Sequence, residues 1–157
     1  MKLRRATYAD SPNMRQLEQQ SETAAHWGAA EYGALFAADA PARIAFIAAD
    51  EFEGAVIVGF IVARCLSDEW EIENVVVEEE HRKRGVGSSL VRGLLVEAGK
   101  AGVASVILEV RESNLPALRL YESIGFKLEG RRKNYYPDPE EDAVLYRFLL
   151  QACDKIS

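Results

Sequence analysis

A short basic turn with two glycines is the part of this sequence whose residue types most directly indicate chemistry. It lies between an apolar, β-branched segment at 72–77 and a segment at 90–98 whose apolar residues recur at helical spacing. Backbone N–H groups in the first turn of such a helix, at 86–89, lack intrahelical acceptors and carry the positive end of the helix dipole. We therefore predict a phosphate-binding turn that consists of Arg82, Lys83, Arg84, Gly85, Val86, Gly87 and Ser88. A glycine-rich strand-to-helix turn without a ligand is the alternative.

A glutamate in a second predicted strand is a candidate general base. Strand alternation at 104–110 gives Glu109 the same face as Arg111 and leaves it as a carboxylate inside an otherwise apolar strand. A carboxylate in such a strand either forms an ion pair, with Arg111 or another cation, or accepts a proton from a substrate. Both interpretations remain open at this point.

Two polar residues share one face of the predicted helix at 114–124. Asn114 and Tyr121 are seven residues apart, which is two helical turns. They are either a helix cap and a core residue, or a cofactor contact and a phenol that donates a proton to a departing thiolate.

One layered domain would position these residues. The pattern predicts an α+β (mixed α/β) fold in which helices cover one central sheet. The predicted helices are 11–21, 29–38, the helix after the basic turn, and 114–124, and the predicted strands are 2–6, 43–49, 56–66, 70–77, 104–110, 126–130 and 143–150, with a hairpin turn at 50–54.

Composition excludes several classes of function. With 157 residues and 48% apolar residues, the chain suits a single domain over 1–157. Its net charge of −6 argues against nucleic-acid binding. The two cysteines match no metal-ligand spacing, so we expect no metal site. Without an apolar segment long enough to span a bilayer or a secretory core, we expect a cytoplasmic protein that has no membrane partner.

The chain resembles the Gcn5-related N-acetyltransferase (GNAT) superfamily in these motifs. Its Arg82-x-x-Gly85-x-Gly87 pattern is similar to that superfamily's turn for the pyrophosphate of acetyl-CoA. Further motifs resemble most closely the ribosomal-protein-alanine N-acetyltransferase (RimI) branch, namely Leu108-Glu109-Val110-Arg111-x-x-Asn114, Leu120-Tyr121-x-x-x-Gly125-Phe126, Arg132-Lys133-Asn134-Tyr135-Tyr136 and Glu141-Asp142-Ala143.

The resemblance implies a fold and an activity. The fold would be a central, mostly antiparallel, twisted sheet of about seven strands flanked by about four helices. The activity would be direct transfer of acetyl from acetyl-CoA, without a metal, to the N-terminal α-amine of a peptide or protein.

The resemblance also implies roles for individual residues. Glu109 would be the general base and Tyr121 the general acid and a cofactor contact. Asn114 would be another cofactor contact, and Glu73 a second candidate base that also contacts the acceptor. The backbone of Val75, Val76 and Val77 would hold pantetheine, while Trp27, Tyr135 and Tyr136 would contact the acceptor, the two tyrosines from a covering loop or, alternatively, as packing anchors of that loop.

Two other functions remain open. A GNAT enzyme that acetylates a small-molecule amine would share the cofactor residues and differ around Trp27 and the two tyrosines. A non-catalytic acyl-CoA-binding module would keep the phosphate turn and lose the acid and base, whereas this chain has Glu109 and Tyr121. We expect a monomer or a weak homodimer.

Overall fold

The computed structural model describes residues 1–21, 29–37, 42–50 and 56–150. In chain order its elements are β1 (Lys2–Arg5), α1 (Ser11–Gln19), α2 (Ala29–Leu35), β2 (Arg43–Asp50), β3 (Val56–Cys65), β4 (Glu69–Val77), α3 (Val86–Ala101), β5 (Ser105–Arg111), α4 (Leu115–Ile124), β6 (Lys127–Pro137) and β7 (Glu140–Leu149). None of the helices in these described ranges is both long and apolar enough to cross a membrane.

In the described part of the chain, seven strands form one sheet in the order β1-β2-β3-β4-β5-β7-β6. β2 pairs antiparallel with β1 and β3, and β7 pairs antiparallel with β5 and β6. β4 and β5 are parallel. The predicted α+β class, with a mostly antiparallel sheet of about seven strands and about four helices, is confirmed.

Some predicted element boundaries were wrong. α2 ends at Leu35 rather than at 38. β6 continues to Pro137 rather than ending at 130, because β7 already begins at Glu140 and pairs with it. The predicted hairpin between β2 and β3 is confirmed by their antiparallel pairing, although most of its turn lies outside the described residues.

Internal contacts divide the chain into two compact units. Unit one comprises Met1–Cys65 and Glu73–Leu94, and unit two comprises Leu66–Ile72 and Leu95–Ser157. The division passes through β4 and through α3. A single domain over 1–157 stays a prediction.

The core of unit one lies between the strands and helices α1 and α2. Its buried side chains come from β2, β3, β4 and both helices and include Met14, Tyr32, Leu35, Ile47, Phe60, Val62 and Val76. α1 begins next to Pro12, a residue that suits the first turn of a helix because its missing N–H needs no partner there. It buries Met14 completely.

A carboxylate is buried in this core together with polar partners. Glu18 on α1 is 1% exposed, and Asn74 on β4 is 5% exposed. The Asn74 side-chain amide donates a hydrogen bond to Glu18 Oε2 at 2.5 Å. Tyr32 on α2 also contacts Glu18, and its burial raises the pKa of the phenol. Because an unpaired buried charge would be strongly unfavourable, these contacts of Glu18 link α1 to both α2 and β4.

Close packing at one glycine positions the start of α3. A Cβ atom on Gly59 would lie 2.9 Å from the carbonyl oxygen of Val76, 3.2 Å from Val86 and 3.3 Å from Leu90. Val86 and Leu90 are themselves buried. β3 therefore approaches both β4 and the first turns of α3 more closely than any side chain would allow.

Aromatic packing and polar links hold unit two together. The Tyr121 and Phe126 rings are 5.5 Å apart, and Phe126 and Phe148 are 5.4 Å apart. Tyr146 donates its hydroxyl hydrogen bond to Glu122 at 2.7 Å, which ties β7 to α4. Burial, followed by this hydrogen bond, raises the pKa of Tyr146 to about 12.

Arg147 on β7 connects its strand to three other elements of unit two. It forms ion pairs and hydrogen bonds with Glu69 on β4, Ser105 on β5 and Glu129 on β6.

We predict that Gly59→Ala lowers the free energy of unfolding by about 1–3 kcal/mol, the usual cost of an overpacked core. The added methyl group meets backbone at Val76, so relief requires a strand or α3 to shift. Denaturant unfolding followed by circular dichroism measures the change. Gly33→Ala is the matched control, because a Cβ there meets nothing within 4 Å. A Gly59→Ala protein as stable as Gly33→Ala would contradict the argument.

Candidate active site

The predicted phosphate turn connects β4 to α3 within unit one. Two of its residues have left-handed backbones, Lys83 with φ 64° and Gly85 with φ 80°. The Ser89 N–H donates to the carbonyl oxygen of Gly85 at 3.0 Å, so α3 begins immediately after that glycine. The prediction that Ser89 has an unpartnered N–H was therefore wrong. By helix geometry the first three N–H groups, those of Val86, Gly87 and Ser88, remain to bind an anion.

Three consecutive cations lie beside this helix start. Arg82, Lys83 and Arg84 are all exposed. The Arg82 guanidinium donates to the carbonyl oxygen of Val77 at 3.2 Å, which ties the turn to the end of β4. Exposed guanidinium and ammonium groups next to free backbone N–H groups form a suitable site for a pyrophosphate.

The strand before the turn carries the predicted pantetheine-binding backbone. Side chains of β4 alternate in burial, so Val76 lies in the core while Val75 and Val77 are half-buried. The described pairing of β4 with β5 ends at Ile72 and Leu108, although β4 continues to Val77. On the side of β4 that pairs with β5, residues 75–77 thus have no strand partner among the described residues. The backbone there can bind an extended ligand.

Glu73, the second candidate base, is part of an ion pair. Arg43 on β2 donates to both of its carboxylate oxygens, at 2.7 Å and 3.3 Å. Each side chain is 17% exposed. The Glu73 hydrogen bond raises the pKa of Arg43. A carboxylate held by two guanidinium hydrogen bonds is neutralised and fixed in orientation, which favours a structural role.

Glu109 lies on β5 in unit two and is 15% exposed. Its ion-pair partner is Arg132 on β6, with Arg132 Nε 3.1 Å from Glu109 Oε1. The predicted alternative partner, Arg111, instead pairs with Glu141 at 3.3 Å. Glu109 thus keeps a small part of its side-chain surface in solvent.

Asn114 and Tyr121 have structural roles in α4. Asn114 Oδ1 accepts a hydrogen bond from the Ala117 N–H at 3.3 Å, so Asn114 is the N-cap of the helix. Tyr121 is 6% exposed and packs edge-on against Phe126. Burial raises the pKa of Tyr121, so the phenol remains protonated at neutral pH and can donate its proton.

The predicted covering loop around the two tyrosines was wrong. Tyr135 and Tyr136 belong to β6, and Tyr136 pairs with Glu141 on β7. The pairing of β6 with β7 is irregular just before them, where Asn134 has φ 53° and its N–H donates to Asp142 at 2.9 Å. Residue types alone did not reveal this irregular pairing, because turn-forming asparagine and two exposed cations precede the tyrosines.

Guanidinium groups pack on both tyrosine rings. Arg111 lies 4.4 Å from the centre of the Tyr136 ring, and Arg132 lies 5.6 Å from that of Tyr135. Burial and, next, the charge of Glu109 raise the pKa of Tyr136. Unit two thus gathers Glu109, Tyr135 and Tyr136 around two arginines.

Trp27, a predicted acceptor contact, lies outside the described residues. The ion pair between Arg132 and Glu109 was not predicted from the sequence, because it depends on the register in which β6 pairs with β7. In the described ranges, no group of three or more His, Cys, Asp or Glu residues could hold a metal ion.

Loss of the Asn114 cap gives a measurable effect. We predict that Asn114→Ala lowers the free energy of unfolding by about 0.5–2 kcal/mol, the usual cost of losing an N-cap. Asn114→Ser should restore most of it, because a serine hydroxyl caps equally well. Chemical denaturation of the three proteins measures these differences. Equal stability of the alanine and asparagine proteins would argue that the cap contributes little and that Asn114 serves another purpose.

Comparison with known proteins finds relatives that are N-acetyltransferases. Over 91 residues the chain is 40% identical to [ribosomal protein bS18]-alanine N-acetyltransferase of Escherichia coli strain K12. That match covers 57% of this chain and 62% of the relative, so the curated relative is matched over less than two thirds of its length.

Solved structures match over almost the whole chain. The crystal structure of the ribosomal-protein-S18-alanine N-acetyltransferase from Escherichia coli has a TM-score of 0.82 at 27% identity, covering 96% of this chain and 94% of that one. Arabidopsis thaliana NAA60 in complex with acetyl-CoA has a TM-score of 0.82 at 20% identity, covering 95% and 99%, which shows a shared fold.

The sequence also matches a family profile, that of the Acetyltransferase (GNAT) family, over residues 11–126. This match includes the phosphate turn, Glu109, Asn114 and Tyr121. The family predicted from the sequence motifs is thereby confirmed, and the chain belongs to the GNAT acetyltransferase family.

Proposed function

We propose that this protein is an acetyl-CoA-dependent N-acetyltransferase whose acceptor is the N-terminal α-amine of a peptide or protein. The observation that carries the proposal is the 40% identity with a ribosomal-protein-alanine N-acetyltransferase. That relative is named for acetylating an alanine of ribosomal protein bS18, so an N-terminal alanine of a ribosomal protein is the first acceptor to test.

The start of α3 supports acetyl-CoA as the donor. Backbone N–H groups of Val86, Gly87 and Ser88, with the exposed cations of 82–84 beside them, suit the pyrophosphate of CoA. The pantetheine amides would pair with the backbone of β4 at 75–77, on the edge that has no strand partner among the described residues. Asn114 and Tyr121 would contact the cofactor from α4. Arabidopsis thaliana NAA60, a protein with the same fold, is in complex with acetyl-CoA in its crystal structure.

The proposed reaction is a direct transfer. Glu109 accepts a proton from the acceptor ammonium, and the neutral amine then attacks the thioester carbonyl carbon. The carbon–sulfur bond breaks as the amide bond forms. The departing CoA thiolate takes its proton from Tyr121, whose raised pKa keeps that proton available at neutral pH. The amide nitrogen gives up its surplus proton to solvent, Tyr121 regains a proton from solvent, and Glu109 releases the proton that it took, so one proton is released for each acetyl group transferred. Glu73 is a less suitable base, because Arg43 already occupies both of its oxygens.

The acidity of the acceptor favours an α-amine over a lysine. A peptide α-amine has a pKa of about 7.7–8.0, whereas that of lysine is about 10.4. This difference makes deprotonation of lysine about 3.5 kcal/mol harder at neutral pH. One carboxylate therefore activates an α-amine more readily. Trp27, Tyr135, Tyr136 and Glu73 are the residues that we propose to contact the acceptor.

We predict that the enzyme acetylates a peptide beginning Ala-Arg, and that an N-blocked version of the same peptide containing a lysine stays unmodified. Acetyl-CoA-dependent mass increase, measured by mass spectrometry, distinguishes the two amines. Modification of the lysine peptide alone would contradict the α-amine assignment. If acetyl-CoA binds and neither peptide reacts, the acceptor is a small-molecule amine or the protein is a non-catalytic acyl-CoA module.

We predict that Glu109→Gln and Tyr121→Phe each lower kcat by roughly 10²–10⁴, the usual contribution of a general base or acid. Steady-state kinetics with the Ala-Arg peptide measures kcat, and the KM for acetyl-CoA should stay near the wild-type value for Glu109→Gln. The controls are Glu112→Gln, which removes a carboxylate paired with Arg131, and Tyr146→Phe, which removes a hydroxyl bonded to Glu122. Both controls should turn over normally. Wild-type kcat in either test variant would reduce that residue to a packing role.

A further inference from the structure

An exposed arginine covers the carboxylate that we propose as the general base. Among the described residues, Arg132 is the cation recorded at ion-pair distance from Glu109, with 3.1 Å between Nε and Oε1. The Arg132 side chain is 60% exposed, whereas that of Glu109 is 15% exposed. The Glu109 carboxylate is therefore largely shielded from solvent. The Arg132 side chain, which is mostly in solvent, can move away from it without exposing buried residues.

The other arginine of this region is held much more firmly. Arg111 pairs with Glu141 at 3.3 Å, donates to the carbonyl oxygen of Pro139 at 3.0 Å and packs on Tyr136. Arg132 has Glu109 as its carboxylate partner and the ring of Tyr135 at 5.6 Å. Of these two cations, Arg132 is the one that can move away from its carboxylate.

The acceptor and Arg132 require the same carboxylate. At neutral pH an α-amine is largely an ammonium ion, since its pKa is about 7.7–8.0. This cation must approach Glu109 before the carboxylate can take its proton. Two cations beside one carboxylate repel each other, so the acceptor and Arg132 exclude one another there.

We propose that Arg132 is a positioning residue that occupies Glu109 in the free enzyme and is displaced by the acceptor's amino group. The inference rests on the proposed role of Glu109 as the base. Arg132 then orients the carboxylate between turnovers and competes with every acceptor. Because exposed ion pairs are weak, the competition changes acceptor affinity by about two- to fivefold.

The kinetic test compares Arg132→Gln, which removes the charge, with Arg132→Lys, which keeps it. With the Ala-Arg peptide, Arg132→Gln should lower the acceptor KM by about two- to fivefold and leave the acetyl-CoA KM unchanged. Arg132→Lys should have an acceptor KM near that of the wild type. Arg131→Gln is the matched control, because Arg131 lies one residue earlier in β6 and pairs with Glu112. An acceptor KM that is unchanged or raised in Arg132→Gln overturns the proposal.

A second measurement does not depend on turnover. In ¹⁵N-labelled enzyme, the Nε–H signal of Arg132 should differ between wild type and Glu109→Gln, because the substitution weakens the ion pair. Addition of the Ala-Arg peptide to the wild type should move this signal toward its position in Glu109→Gln. A signal that stays in place at saturating peptide overturns the displacement.

The two proposals fail in different ways. If Glu109→Gln turns over normally, Glu109 is not the base and this inference falls with that role. If Glu109→Gln is inactive while Arg132→Gln has an unchanged acceptor KM, the base role stands and only the competition by Arg132 is refuted.

Discussion

The close approach at Gly59 is the constraint on which the rest of unit one depends. Since β3 carries no side chain there, the carbonyl of Val76 and the first turns of α3 press against the strand. This contact fixes the height at which α3 begins above the sheet. Only four residues separate the short 3-10 turn at Glu79–His81 from Val86, so the chain must reverse within a few residues. Left-handed backbones at Lys83 and Gly85 accomplish the reversal.

In unit two, the main constraint is the pairing of charged side chains that lie within the sheet. β5 contains a carboxylate and a guanidinium two residues apart, and each finds its partner on the β6–β7 hairpin rather than on its own strand. The hairpin is thus attached to β5 by ion pairs at its tip and by regular hydrogen bonds along its length. The same cations lie over the tyrosine rings, so the electrostatic and aromatic contacts reinforce one another.

The fold and the glycine-containing turn between β4 and α3 could be predicted from the sequence, because both depend on local signals, whereas phosphate binding by that turn stays a prediction. Helical spacing after a β-branched run, a glycine in the left-handed region and an asparagine N-cap act over a few residues. The partner of Glu109 and the strand around Tyr135 and Tyr136 depend instead on the register between distant strands. Residue types around Asn134 resemble a loop, and tertiary pairing with β7 overrides them. The roles of Glu109, Asn114 and Tyr121 in the reaction remain predictions.

The burial of Glu18 has an evolutionary consequence. Its carboxylate accepts a hydrogen bond from the Asn74 amide in the buried core, and Glu73, the residue before Asn74, is paired with Arg43. Loss of either member of a pair strands a polar or charged group, which is far more damaging than loss of both. Divergence in this segment of β4 is therefore expected to proceed through coupled substitutions on α1 or β2. Sequence drift here is epistatic, and the strand that leads to the phosphate turn can change only together with its neighbours.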